Sequence, residues 1–309
     1  MNNVLSFITW DLDPTIFDLG PLQIRYYGIL WALSFVVGFY LVKKLYVNEK
    51  EGEDLADPLL YAVIIGGVLG ARLGHVIFYQ WELFGTDFLS VFLPMKFYHS
   101  EWNSLTNMYE SVWSPEFTGF SGLASHGGTI GIAIALFWYK TKKSTRSYLW
   151  ILDKVAVPTA LACFFIRMAN FMNSEIVGNY TNSDYGIVFS NRIIGRSQDT
   201  GLILNETLPR HPAQLYEAGF YIFIFALLWL MYWKGKAYLK EGLLFGTFLV
   251  TLFTSRFFVE TFKVSQGGIE SLIFENSLST GQLLSIPFVL VGSFFIFRAL
   301  KKVDPLELK

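Results

Sequence analysis

A single cysteine, Cys163, in a chain of 309 residues excludes an internal disulfide and any metal cluster built from thiolates. Charge is scarce too: 16% of the residues are Asp, Glu, Lys or Arg, against roughly 25% in soluble domains. The 24 basic and 25 acidic side chains nearly cancel, leaving −1, so there is no basic field for a nucleic acid and no acidic tail to keep a segment unfolded. Nucleic acid is not an expected partner, and nothing in the chain calls for a cofactor or a metal. The first twenty residues hold no Lys or Arg but carry Asp11, Asp13 and Asp18. The positive start and apolar stretch of a cleavable signal peptide are therefore missing.

What the chain has in abundance is apolar surface: 53% of its residues are hydrophobic and 18% aromatic. A bilayer core of about 30 Å takes about 20 mainly apolar residues to cross as a helix. Stretches of that kind occur at 28–46, 57–81, 121–139, 148–173, 212–233, 242–262 and 281–300. The expectation is an all-α integral membrane protein of about seven transmembrane helices, forming a single transmembrane domain over 1–309. Cytoplasmic loops collect Lys and Arg, which sets the orientation. With the N-terminus outside, the cytoplasm receives Lys43, Lys44, Lys50, Lys140, Lys142, Lys143, Arg146, Lys234, Lys236, Lys240, Arg298, Lys301, Lys302 and Lys309. The outside receives Lys96, Arg192, Arg196, Arg210 and Lys263. That asymmetry implies N-out and C-in. The two long connections, 82–120 and 174–210, then lie outside and should form a small cap, the first rich in aromatics suited to the headgroup region.

In this topology the polar residues within apolar sequence gather toward the outer face. Tyr26 opens the first helix, Arg72 lies toward the outer end of the second, and His126 begins the third. Arg167, Asn170, Asn173 and Glu175 close the fourth, while His211, Gln214, Tyr216 and Glu217 open the fifth. Arg256 and Glu260 close the sixth, and Gln282 opens the seventh. An intramembrane charge costs about 2.5–3.5 kcal/mol on insertion scales and marks a functional site by default. Plainer readings stand beside that one. Arg256 and Glu260, four residues apart, could neutralise each other, whereas Arg167 has no acid a turn before it and its charge is expected to wait for a ligand. Gly66, Gly70 and Gly74, with Gly127 and Gly131, have the spacing of close helix packing. Asp57 and Asp153 are placed to cap helix N-termini, and His75 and His99 are expected to be bystanders. Embedded arginines beside amides suit a phosphate, because guanidinium offers a planar fork of donors. The phosphate available at that depth is a phospholipid headgroup, and a nearby histidine could take a proton from a nucleophile at neutral pH.

The strings Arg25-Tyr26-Tyr27-Gly28, Gly70-Ala71-Arg72-Leu73-Gly74, Ser125-His126-Gly127-Gly128, Arg167-Met168-Ala169-Asn170 running to Glu175 and Gly178, Arg210-His211-Pro212 with Gln214-Leu215-Tyr216-Glu217, Arg256-Phe257-Phe258-Val259-Glu260 and Gly281-Gln282 follow one another along nearly the whole chain. In this order the chain resembles the bacterial prolipoprotein diacylglyceryl transferases. The resemblance implies a multi-pass enzyme of the bacterial cytoplasmic (inner) membrane with its active site toward the outer face. It further implies that the diacylglyceryl group of phosphatidylglycerol moves to the lipobox cysteine thiol of a preprolipoprotein signal peptide, leaving a thioether and releasing glycerol phosphate. Membrane lipids are the other implied partners. His126 is then the candidate base, and Arg167 and Arg256 the candidate clamp on the leaving phosphate. Tyr26, Arg72, Asn170, Glu175, Gly178, His211, Gln214, Tyr216, Glu217 and Glu260 are the candidate substrate-binding residues. Where the family commonly carries a tyrosine four residues before the sixth-helix arginine, this chain has Leu252. Two rival readings are an intramembrane serine protease, on Gly119-Phe120-Ser121-Gly122, and a transporter with polar residues along a path.

Overall fold

The computed structural model describes residues 7–20, 23–93, 95–103, 108–117, 122–196, 203–263 and 278–301. Long apolar runs close their backbone hydrogen bonds internally, as a segment in lipid must, and they become helices α1 (Tyr26–Asn48), α2 (Ala56–Tyr79), α5 (Ser125–Lys142), α6 (Tyr148–Met172), α7 (Ala213–Trp233), α8 (Leu243–Val259) and α9 (Thr280–Lys301), while the short helices α3 (Leu83–Thr86) and α4 (Phe88–Phe92) lie in the connection after α2. Among the described residues, six of these helices are long and apolar enough to cross a membrane: α1, α2, α6, α7, α8 and α9. The stretch at 121–139 is helical from Ser125, but α5 has only 18 residues and carries His126 near one end and Lys140 and Lys142 at the other, which makes it less apolar. Large apolar side chains such as Val36, Ile65, Ile134, Phe223, Leu290 and Phe297 lie exposed along these helices. In water such a surface would be a liability, and in lipid it is the solvent-facing side. The chain is thus an all-α multi-pass membrane protein whose connections add short two-stranded ribbons.

The chain forms two compact units, residues 46–151 and residues 1–45 with 152–309. In the first, α2 and α5 meet along a glycine seam. A Cβ added at Gly70 would stand 2.5 Å from the Gly127 carbonyl oxygen, and one at Gly66 2.7 Å from that of Gly131. Tyr139 of α5 donates to the Leu55 carbonyl at 3.0 Å. The aromatic connection after α2 folds as α3, α4 and an antiparallel hairpin of β4 (Met95–Asn103) and β5 (Met108–Phe117). Its hub is Asp87, which accepts from the Ser90 hydroxyl and from the Phe97 and Tyr98 amides at 2.9 and 3.3 Å. Burial alone would raise the Asp87 pKa, but these hydrogen bonds outweigh it and hold the carboxyl below its ordinary range.

In the other unit the core is built around α7, with Tyr221, Ile224, Leu228 and Tyr232 packed among Leu45, Val157, Ala160, Leu244 and Phe248. Helices α8 and α9 approach at Gly246 and Gly292, where a Cβ on either would stand 2.8 Å from the other's carbonyl oxygen. Asp153 does cap a helix, though not its own. It lies inside α6, and its carboxylate accepts from Gly242 and Phe245 at 2.7 Å each, satisfying the free amides that begin α8. Asp57 sits in the first turn of α2 without a side-chain cap bond at that helix's start. Strand β1 (Ile8–Trp10) runs parallel to β6 (Ile187–Phe189), and Trp10 packs on Phe171 at 4.4 Å between ring centres. The remaining ribbons are β2 (Thr15–Asp18) with β3 (Gln23–Arg25) and β7 (Ile193–Arg196) with β8 (Ile203–Asn205).

Candidate active site

Helix α6 ends abruptly, and its last turn sets up the site. Arg167 and Asn170 share a helix face, and Arg167 Nη1 donates to Asn170 Oδ1 at 3.2 Å. Ser174 then turns into the left-handed region at φ 54°, and Glu175 N returns to the Asn170 carbonyl at 2.9 Å, closing the helix end. Ile176 also has φ 54°, a conformation that costs a β-branched residue about 1–3 kcal/mol and persists only where the surroundings fix it. That fixing is visible around Glu175. Its carboxylate accepts from Asn170 Nδ2 at 3.4 Å and Asn173 Nδ2 at 3.2 Å, and its carbonyl accepts from Gln214 Nε2 at 2.5 Å. Beside it lies an open cavity of about 490 Å³ lined by Asn173, Ser174, Glu175, Ile176, Asn191, Arg192 and Ile193.

The first turns of α7 supply the acid that Arg167 lacks on its own helix. Glu217, 1% exposed, lies with Oε2 2.8 Å from Arg167 Nε and with Oε1 2.9 Å from Lys263 Nζ. No donor is well aligned on Oε2, so the Arg167 contact is an ion pair rather than a linear hydrogen bond. Tyr221, one turn on, donates to Oε1 at 3.4 Å. The expectation that Arg167 stands without an acid is therefore corrected: its partner comes from another helix, fifty positions away. Lys263, counted among the basic residues of the outer side, is largely buried. Burial pushes its ammonium pKa down, against the pull of Glu217.

The end of α8 bears on the plainer reading in which Arg256 and Glu260 neutralise each other. Arg256 makes no ion pair among the described residues, and Glu260 lies 3.9 Å from Lys263 rather than paired with Arg256. The Glu260 carboxylate packs where a Cβ on Gly281 would fall, so this glycine leaves room for it. Gln282 Nε2 donates to the Phe257 carbonyl at 3.3 Å, tying the start of α9 to the last turns of α8. His211 and Tyr216 are linked, Nδ1 to the hydroxyl, at 3.2 Å, and both rings pack on Phe262. Gly178 N donates to the His211 carbonyl at 2.8 Å, and a Cβ on Gly178 would stand 2.6 Å from the Phe262 carbonyl oxygen. Tyr26 begins α1, its amide bonded to the Pro14 carbonyl at 3.1 Å, and Tyr27 beside it lies within electrostatic reach of Glu175 and Arg167.

The structure thus gathers Arg167, Asn170, Glu175, Gln214 and Glu217, joins Glu260 to them through Lys263, and sets His211, Tyr216 and Gly178 around Phe262. Arg72 and His126 belong to the 46–151 unit. Arg72 is buried, and its Nη2 donates to the Ser90 carbonyl at 2.7 Å, bracing α4. His126 is exposed on the first turn of α5. His75 packs on Tyr79 and against Gly122, whose φ is 72°, and His99 lies 3.7 Å from Glu116. Cys163 packs against the α7 core. Residues 119–121, on which the protease reading rests, lie outside the described residues. Among the described residues no three His, Cys, Asp or Glu side chains gather to hold a metal. Sequence reasoning missed Lys263 and Tyr221. A basic residue three positions after Glu260 was the available signal for the first, and the four-residue step from Glu217 along one helix was the signal for the second.

Fold and site together define a multi-pass membrane protein with a buried network of cations, carboxylates and amides at the ends of its helices, the class to which membrane-embedded lipid-handling enzymes belong. Sequence comparison makes the assignment specific. The family described as prolipoprotein diacylglyceryl transferase matches residues 14–298. A phosphatidylglycerol–prolipoprotein diacylglyceryl transferase of Bacteroides fragilis is 39% identical over 304 residues, 98% of this chain and 99% of that one. Those of Chloroherpeton thalassium and Tolumonas auensis are each 37% identical, over 97% and 95% of this chain and 97% and 98% of their own lengths. The chain belongs to the prolipoprotein diacylglyceryl transferase family.

Proposed function

We propose that this protein transfers the diacylglyceryl group of phosphatidylglycerol to the lipobox cysteine thiol of a preprolipoprotein. The thiol sulfur bonds to the glyceryl carbon, the carbon–oxygen bond to phosphate breaks, the thiol proton goes to a base, and glycerol phosphate leaves. Membership of the family is the observation that carries this reading, and the buried cation network supplies a chemistry consistent with it. A thiol of pKa near 8.5 needs a base to attack at neutral pH, and the departing phosphate gains charge that guanidinium groups can meet.

On this reading His126 is the base, and Arg167 and Arg256 hold the leaving phosphate. Arg256 has no acid partner among the described residues, which leaves its charge for an anion. Asn170, Glu175, Glu217, Glu260, Gln214, His211, Tyr216, Gly178, Tyr26 and Arg72 bind substrate or hold the groups that do. The protein works as a single transmembrane domain over 1–309 in the bacterial inner membrane, N-out and C-in, with the active site outward and 82–120 and 174–210 as the external cap. Purified protein incubated with phosphatidylglycerol and a lipobox peptide should add one diacylglyceryl mass to the peptide; an unchanged peptide beside an active family enzyme overturns the reading. Cysteines placed at Lys143 and Lys236 should resist an impermeant thiol reagent in intact cells and one at Asn205 should react, and the reverse pattern overturns the orientation.

A further inference from the structure

Lys263 follows the short turn after α8 and lies outside every motif that carries the family resemblance. We propose that Lys263 is a positioning residue for the transfer reaction, holding Glu217 so that this carboxylate steadies Arg167 without cancelling the positive charge the phosphate needs. The inference rests on the transferase reading above.

Three observations carry it. Glu217 is shared between two cations, with Arg167 Nε 2.8 Å from one carboxylate oxygen and Lys263 Nζ 2.9 Å from the other. All three side chains are largely buried, at 16%, 1% and 11% exposure for Arg167, Glu217 and Lys263, so their charges are weakly screened and must balance locally. Within the contact triad, Arg167 and Lys263 face the single carboxylate of Glu217, which leaves one positive charge. Without Lys263, Glu217 is matched by Arg167 alone and that surplus is gone.

The backbone explains how the lysine arrives there. Gly178 and Lys263 face each other in an antiparallel bridge, and Asn179 N donates to the Phe262 carbonyl at 2.7 Å. A Cβ on Gly178 would stand 2.6 Å from that carbonyl oxygen and 2.7 Å from the His211 carbonyl oxygen. The glycine therefore serves by admitting the 262–263 backbone, which delivers Lys263 to Glu217, and its contribution to activity passes through the lysine.

The test compares wild type, K263M, K263R, E217Q and E217Q/K263M for transfer from phosphatidylglycerol to a lipobox peptide, with melting in detergent measured in parallel. K263M should lose at least about tenfold in kcat/KM and K263R should keep most of it, because charge at that point is what acts. The double variant should be no worse than the poorer single variant, since residues in one ion-pair network are not additive. Losses that multiply in E217Q/K263M, a K263M enzyme within twofold of wild type, or a K263R enzyme as impaired as K263M overturn the proposal. A wild-type protein that transfers nothing would instead sink the transferase reading itself, so the two failures are distinguishable.

Discussion

Two regions of this protein break the apolar run of their helices, for opposite reasons. Along α2 and α5 the interruptions are glycines, and a Cβ at Gly70 or Gly66 would strike the facing backbone. Removing side chains lets two backbones touch, which is how helices gain contact where lipid offers no hydrophobic drive. At the ends of α6, α7 and α8 the interruptions are charges and amides, several of them paired: Arg167 with Glu217, Glu217 with Lys263, Asn170 with Glu175. Packing alone could have been achieved with small residues, as the first region does. On the proposed function the second retains costly groups because their charge is used, and the contrast sets a structural seam beside the proposed site.

The largest effects should come from the chemistry. If His126 takes the thiol proton, H126Q should lower the rate by about 10²- to 10⁴-fold, the usual contribution of general acid–base catalysis. Raising the pH should restore part of it by ionising the thiol unaided. A variant with near-normal turnover at saturating lipid and peptide would remove His126 from that role and leave Glu260 or Glu217 as the next candidates. Next, R256A should cost about 10²- to 10³-fold, the scale of losing one preorganised donor. R256K should recover little of it, for want of the bidentate fork; full recovery in R256K would show that charge alone matters there.

Effects on the seam should be of another kind. G70V places side-chain atoms against the Gly127 carbonyl, and overpacking of this sort costs about 1–3 kcal/mol. Melting in detergent should fall, and activity should fall only in proportion to the folded protein remaining. Normal melting with lost transfer would instead place the seam in the chemistry. The smallest effect concerns Asp87. Its folded pKa is depressed, so its contribution to stability is present above the unfolded carboxylate range and is lost as pH falls through the folded value. Protection of the Phe97 and Tyr98 amides from hydrogen exchange, relative to the free amide at the same pH, should therefore fall in acid in the wild type, and D87N should show low protection already at neutral pH.

Most of the fold was legible in the sequence, because lipid imposes a length and a polarity on each helix that composition reveals directly. The spans at 148–173 and 212–233 differ from α6 and α7 by a residue or less at each end. The glycine spacing at Gly66, Gly70 and Gly74 likewise announced the seam. What stayed hidden depends on which helices meet. Arg167 looks unpartnered along its own helix because its acid comes from α7, and Asp153 looks like a cap for α6 because the helix it caps, α8, begins 90 residues later. Periodicity records one helix at a time and holds no term for such pairs. The contact of Lys263 with Glu217 stayed hidden for a related reason: nothing along the loop shows which acid its lysine meets.

The distinction between seam and site is tested most directly by R167A, assayed for transfer and for melting on the same preparation. Glu217 keeps Lys263 as its partner in that variant, so the fold should survive with a melting temperature within a few degrees of wild type, while transfer falls by about 10²-fold or more. A collapse in melting with a merely proportional loss of transfer would show that the Arg167–Glu217 pair is structural, as the glycine seam is, and would contradict the account.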